Sequence, residues 1–120
     1  MQYKTVSEYY AAAPAELKDL FDSLETYLLA LGDDVTKNTL KLYFAFRRIK
    51  NFACVEVHPQ TKQVLVYVKV DPDKVPLEPG FSRDVRGVGH FGTGDLELRL
   101  SSPEDLERAK PLLLASYETN

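Results

Sequence analysis

Apolar and polar positions change period along the chain. From Pro14 to Leu31, Leu17, Leu20, Phe21, Leu24, Tyr27, Leu28 and Leu31 recur every three or four residues, which predicts an amphipathic helix. Pro14 suits its first turn, and Glu16, Asp19 and Asp22 sit where the helix dipole favours negative charge. Gly32 is expected as a left-handed cap, with Asp33 and Asp34 continuing the turn. From Leu40 to Arg48 the period drops to two, with Leu40, Leu42, Phe44 and Phe46 on one face and Lys41, Tyr43, Ala45 and Arg47 on the other. Ile49 to Asn51 turn into a second strand, Phe52 to Val57. His58 to Thr61 turn again into a third, Gln63 to Val70, with Val64, Val66, Val68 and Val70 opposed to Leu65, Tyr67 and Lys69. Asp71 to Gly94 carries Pro72, Pro76 and Pro79 and then Gly80, Gly87, Gly89, Gly92 and Gly94, so it reads as a long loop, a kind that is usually functional. Asp95 to Leu100 is a fourth strand, with Leu96, Leu98 and Leu100 inward and Asp95, Glu97 and Arg99 outward. Ser102 as N-cap, Pro103 at the first position and Asp105 at the third open a last helix lined by Leu106, Ala109, Leu113, Ser116 and Tyr117, which Pro111 should kink or split.

This order predicts a two-layer α+β domain, residues 14–120. A four-stranded antiparallel sheet carries an N-terminal and a C-terminal helix on one face. Residues 1–13 have no clear period and read as an arm or linker remnant, whose Tyr3, Tyr9 and Tyr10 can pack on the domain. The other sheet face is left for water, a partner or another domain.

Length and charge refine the picture. A chain of 120 residues fits one domain with its own core. The composition, 44% apolar and 28% charged, is that of a soluble globular protein. No apolar run is long enough for a membrane helix, no secretory signal is visible, and a single cysteine cannot form an internal disulfide, so the expected setting is cytoplasmic. The net charge of −3 excludes a uniformly basic nucleic-acid binder, but its distribution is polar: residues 1–33 carry −4, residues 34–90 carry +4 and residues 91–120 carry −3.

The candidate chemistry lies in that basic middle. The open sheet face presents Lys41, Tyr43, Arg47, Tyr67 and Lys69 beside Glu97 and Arg99. Cations neutralise phosphates and aromatic rings stack on bases, although a solvated sheet uses the same residues. The stretch from Gly87 to Gly94 has no strand before it and no helix after it, so it is no dinucleotide-binding turn. With Arg83, Arg86 and His90 it remains a candidate anion nest. His58 and His90 are the only histidines, Cys54 reads as a core filler, and Asp71-Pro72-Asp73 reads as a turn. No metal-ligand spacing, catalytic triad or cofactor motif is present; His90 with Asp95 is the one pairing an enzyme reading has, and it defines no reaction class. Phe81, Val85, Val88 and Phe91 are spaced to fold the loop back over the sheet, with His90 partly buried as its anchor. Arg83 and Arg86 are expected on the rim, dispensable for folding.

Several runs carry a resemblance. They are Lys41 to Arg48, Lys50 to Val57, Val68 to Asp73, Ser82 to Val85, Gly89-His90-Phe91-Gly92-Thr93-Gly94-Asp95-Leu96-Glu97 and Pro111 to Tyr117. Through them the chain, from Pro14 to Glu118, resembles a prokaryotic domain family of unknown function found at the C-terminus of so-called predicted transport proteins. Members of that family often follow a region similar to a PD-(D/E)XK nuclease, whose motif is absent here. The aromatic strand, the Asp-Pro-Asp turn and the Ser116-Tyr117 helix end are more distantly similar to YjbR-like, double-wing or frataxin-like domains, a group with a suggested DNA-binding role. The resemblance implies a non-catalytic accessory domain, binding DNA or RNA beside a fused or neighbouring nuclease or defence-type effector. The alternative is a protein-interaction or dimerisation module.

Overall fold

The computed structural model describes residues 4–90 and 92–119; Tyr3 and Phe91, both named above, lie outside the described residues. The chain runs α1 (Val6–Ala12), α2 (Ala15–Leu29), β1 (Thr36–Thr39), β2 (Phe44–Arg47), β3 (Asn51–His58), β4 (Gln63–Val68), β5 (Ser82–Asp84), β6 (Leu96–Leu100) and α3 (Pro103–Glu118), with a short 3-10 turn at Pro72–Lys74. The α+β class and the antiparallel sheet are as expected. The sheet has six strands rather than four, in the order β1-β2-β3-β4-β6-β5, and three helices rather than two accompany it.

Each additional element has a physical reason for escaping the pattern. All four residues of β1, Thr36-Lys37-Asn38-Thr39, are exposed, so no apolar alternation marks it. It is held as an edge by its register with β2, from Thr36 opposite Arg47 to Thr39 opposite Phe44. The nine-residue strand expected from Leu40 is accordingly shorter, because Leu40 and Tyr43 close the β1–β2 hairpin through a 3.0 Å backbone bond. β5 has three residues inside the expected loop and forms the opposite edge, against β6. Within the expected arm, α1 starts at a reciprocal cap: Thr5 Oγ1 accepts from the Glu8 amide at 3.1 Å, and Glu8 Oε1 accepts from the Thr5 amide at 2.9 Å. Only Val6 of α1 is buried, which leaves too little apolar content for a visible stripe; Tyr9 and Tyr10 pack against the core.

One core lies between the helices and one sheet face. It joins Leu17, Leu20, Phe21, Leu24 and Leu28 of α2 and Leu106, Ala109 and Leu113 of α3 to the inward residues of the strands, including Phe44, Phe46, Val55, Val66 and Leu98. Ser116 locks α3 down by donating to the Phe52 carbonyl at 2.6 Å and accepting from the Lys69 amide at 3.0 Å. Of the two outcomes expected at Pro111, the split is not seen: α3 is one helix, and Pro111 is exposed, on the side where a carbonyl without its N–H partner can turn to water. Gly32 is not a left-handed cap. It is small because a Cβ there would stand 2.1 Å from the Tyr117 hydroxyl. Among the described residues no helix is long and apolar enough to cross a membrane.

Candidate interaction surfaces and the second sheet face

The pleat sends alternate side chains away from the helices. Ala45, Cys54, Tyr67, Glu97 and Arg83 pair in sequence across β2, β3, β4, β6 and β5, forming one row on the second face. Glu56, Leu65 and Arg99 form the neighbouring row.

Glu97 is the node of this face. Its side chain is 2% exposed, yet three donors converge on it: Arg99 Nε at 2.8 Å, Tyr67 Oη at 3.0 Å and Arg83 Nη2 at 3.1 Å. Burial pushes its carboxyl up, and the bonds from Arg99, Arg83 and Tyr67 outweigh that effect, holding it below the usual value. Burial and the neighbouring carboxylates of Glu56 and Glu97 push the Tyr67 hydroxyl the other way, well above its ordinary value. Expected as an outward, solvated residue, Glu97 is an internal counter-ion. The one signal for it in the sequence is its i, i+2 spacing from Arg99 on an otherwise apolar strand.

Val85, His90 and residues 92–94 lie over the same face. The Val85 amide bonds to the Asp95 carbonyl, and the Asp95 amide bonds to the Val68 carbonyl, both at 3.0 Å. The His90 ring lies flat on Tyr67, with centroids 4.1 Å apart and planes 3° from parallel. His90 Nε2 is 3.0 Å from the Gly94 carbonyl oxygen. Gly94 has φ +139°, and a Cβ there would meet the Tyr67 carbonyl carbon and the Val68 nitrogen at 2.9 Å, so only glycine lets the loop come this close. The Thr93 amide points at Cys54 Sγ from 3.4 Å, and burial pushes that thiol up, away from thiolate chemistry. The loop folds back with Phe81 and Val85 buried and His90 partly buried, while Val88 is exposed.

The residues nominated from the sequence have separate fates. Tyr67 is buried beneath His90 and Tyr43 is half-buried beside Cys54, so neither ring is laid open as a platform. Arg83 compensates Glu97. Arg86 is gripped by Asp73 at 2.9 Å, Asp84 at 2.9 Å and Asp71 at 3.6 Å, which tie the loop to the 3-10 turn and to the end of β5. Both arginines are exposed, as expected of rim groups, and both are ion-paired. Lys69 is half-buried beside Asp71, Arg86, Thr93 and Asp95 in a polar cleft of about 550 Å³. Lys41 is exposed on the β1–β2 turn. Arg47 is exposed at the end of β2 and donates to the Ile49 carbonyl at 3.3 Å. Among the described residues no group of histidine, cysteine and carboxylate side chains is placed to hold a metal ion.

Two surface features were not anticipated. Ile49, on the β2–β3 turn, is 72% exposed, the highest value for a large apolar side chain among the described residues. The turn is braced by Arg47 on the Ile49 carbonyl and by Arg48, which bonds Asp34 at 2.9 Å and the Tyr117 carbonyl at 3.2 Å. The other feature is a groove of about 880 Å³ between the N-terminal halves of α2 and α3.

A family model described as "Domain of unknown function (DUF5655)" matches residues 6–120. An uncharacterized protein of Haemophilus influenzae is 26% identical over 107 residues, which is 89% of this chain and 35% of that protein. The chain thus spans about a third of the length of the curated relative it matches. No solved structure matches.

Proposed function

This chain belongs to the DUF5655 family, and we propose that it serves as a non-catalytic interaction domain within a longer protein, meeting a polypeptide partner through its β2–β3 turn. The braced, apolar tip at Ile49 carries this reading. An isoleucine presented outward on a turn whose backbone is tied by Arg47 and Arg48 leaves less backbone freedom to be lost on binding, which suits an interface anchor. The relative's greater length supports a domain that works beside others. The groups that would serve an enzyme reading are occupied: His90 stacks on Tyr67 and bonds Gly94, and Cys54 lies under Thr93. We further propose a nuclease or defence-type effector as the longer context, on the motif resemblance.

A photo-crosslinking residue at position 49 tests the reading in cells that make the protein. Crosslinks to a defined polypeptide support it; none, with the variant folded and abundant, refutes it. A second reading, nucleic-acid binding, is favoured by the exposed Lys41, Arg47 and Lys50, which have no ion-pair partner among the described residues. It predicts fluorescence-anisotropy binding to DNA or RNA that weakens steeply with salt. Binding without a salt slope, or none at low salt, removes it.

A further inference from the structure

The β2–β3 turn and the α2–α3 groove lie at opposite ends of the same helical layer. Arg48 fastens the turn to Tyr117 at the C-terminal end of α3 and to Asp34 just beyond α2. The groove is lined by residues 14–23 and 101–110, at the N-terminal ends of both helices. Along α3, Tyr117 is about 10 Å from Lys110 at the near edge of the groove and about 21 Å from Pro103 near its far edge, and the turn is fastened at Tyr117, so it does not enter the groove of its own chain.

The two ends are also complementary in charge. Ile49 projects between Arg47 and Lys50. The groove is floored by Leu17, Leu20 and Leu106, core residues whose edges are 3–5% exposed there, with Glu16, Asp19 and Glu104 around it, and none of these three acids has an ion-pair partner among the described residues. Glu107 and Lys110 neutralise each other there. Lys62 and the partial positive charge of two helix N-termini, about half a unit each, leave the rim negative.

Resting on the interaction-domain reading, we infer that the occupant of the groove is the β2–β3 turn of a second copy of this chain. Ile49 enters toward Leu17, Leu20 and Leu106, while Arg47 and Lys50 meet the acidic rim. Because knob and groove are different surfaces, the contact is head-to-tail and can propagate along a row of copies.

Sedimentation velocity tests this with two single-surface variants, Ile49→Asp for the knob and Asp19→Lys with Glu104→Lys for the groove. Ser23→Trp, which fills the groove from an exposed position, is a second groove variant in case the charge reversals disturb the helix starts. The parent's average mass is expected to climb from micromolar to millimolar concentration and to fall back with salt. Each variant alone should lose that dependence, and an equimolar mixture of knob and groove variants should form a one-to-one dimer, since one intact knob and one intact groove remain. A parent that stays monomeric at millimolar concentration in low salt overturns the inference, as does a mixture that stays monomeric or an Ile49→Asp variant that associates like the parent. Crosslinks from position 49 to a different polypeptide overturn the second copy while leaving the interaction-domain reading standing; crosslinks to no polypeptide remove both.

Discussion

Replacing Glu97 by Gln keeps the shape of the side chain and removes its charge. In the parent, that charge is 2% exposed and receives Arg99, Arg83 and Tyr67 at 2.8, 3.1 and 3.0 Å. Hydrogen bonds to charged groups contribute about 1.5–3 kcal/mol each when dry. Arg83 and Arg99 are half-exposed and can be rehydrated, so their share is discounted to about 0.5–1 kcal/mol apiece. The glutamine oxygen can still accept from Tyr67, but its NH₂ group must face a guanidinium. The expected loss is about 2–3 kcal/mol at neutral pH, a large fraction of the roughly 5–15 kcal/mol that holds a domain together. Glu97→Ala should cost more, because the Tyr67 hydroxyl is then buried without a partner, which adds about 1–3 kcal/mol. Urea unfolding followed by circular dichroism measures both. The pH dependence has a fixed sign. The folded Glu97 carboxyl lies below its usual 4.5, so its contribution is fully present above that value and is lost as pH falls through the lower folded value. The stability difference between parent and Glu97→Gln should therefore shrink in acid. A Gln variant within about 0.5 kcal/mol of the parent at neutral pH, a range typical of unremarkable surface changes, would refute the assignment of Glu97 as the node of this face.

Other substitutions probe the loop over the second face. Gly94→Ala places a Cβ 2.9 Å from the Tyr67 backbone at φ +139° and should cost about 2–4 kcal/mol in a thermal or urea melt. His90→Ala removes the stack on Tyr67 and the bond to Gly94; a loss of about 1–2 kcal/mol with an altered near-ultraviolet tyrosine signal is expected, and an unchanged signal would show that the loop does not rest on Tyr67. Cys54 is fully buried, so a thiol reagent should leave the native protein unmodified and react at full rate only in denaturant.

Sequence pattern disclosed the elements that bury a regular apolar face. α2, β4, β6 and α3 each present a stripe or an alternation to the core, and each was legible from it, while β3 is a continuously buried run legible from the turns that bound it. β1 was not, because Thr36 to Thr39 bury nothing and owe their strand form to pairing with β2. β5 was hidden within a stretch rich in proline and glycine, since three residues are too few to show a period. The glycine loop was read correctly as folding back, from Phe81 and Val85. The partners of its arginines were not legible, because they depend on where the carboxylates of other segments arrive: Asp71, Asp73 and Asp84 for Arg86, and Glu97 for Arg83. Ile49 drew no notice because a single exposed apolar residue on a turn has no signature until the bonds that brace it are seen.

The second sheet face explains why alternation alone could not decide between a binding surface and an interior. Along any one strand, Tyr67 and Lys69, or Glu97 and Arg99, look like solvated residues opposite a core. Read across the strands, the same positions fall into the row Ala45, Cys54, Tyr67, Glu97 and Arg83, where one carboxylate faces two guanidiniums and a phenol. The row is covered by a segment in which Gly94 is required by its contact with Tyr67 and Val68, and Gly92 by its contact with Cys54 and Tyr43. Burying that carboxylate is tolerable only while its donors are in place, so Arg83, Arg99 and Tyr67 each have a partner inside the fold. On the proposed reading, recognition falls on groups that the fold leaves without partners, and the braced β2–β3 turn and the acidic groove between α2 and α3 are two such places.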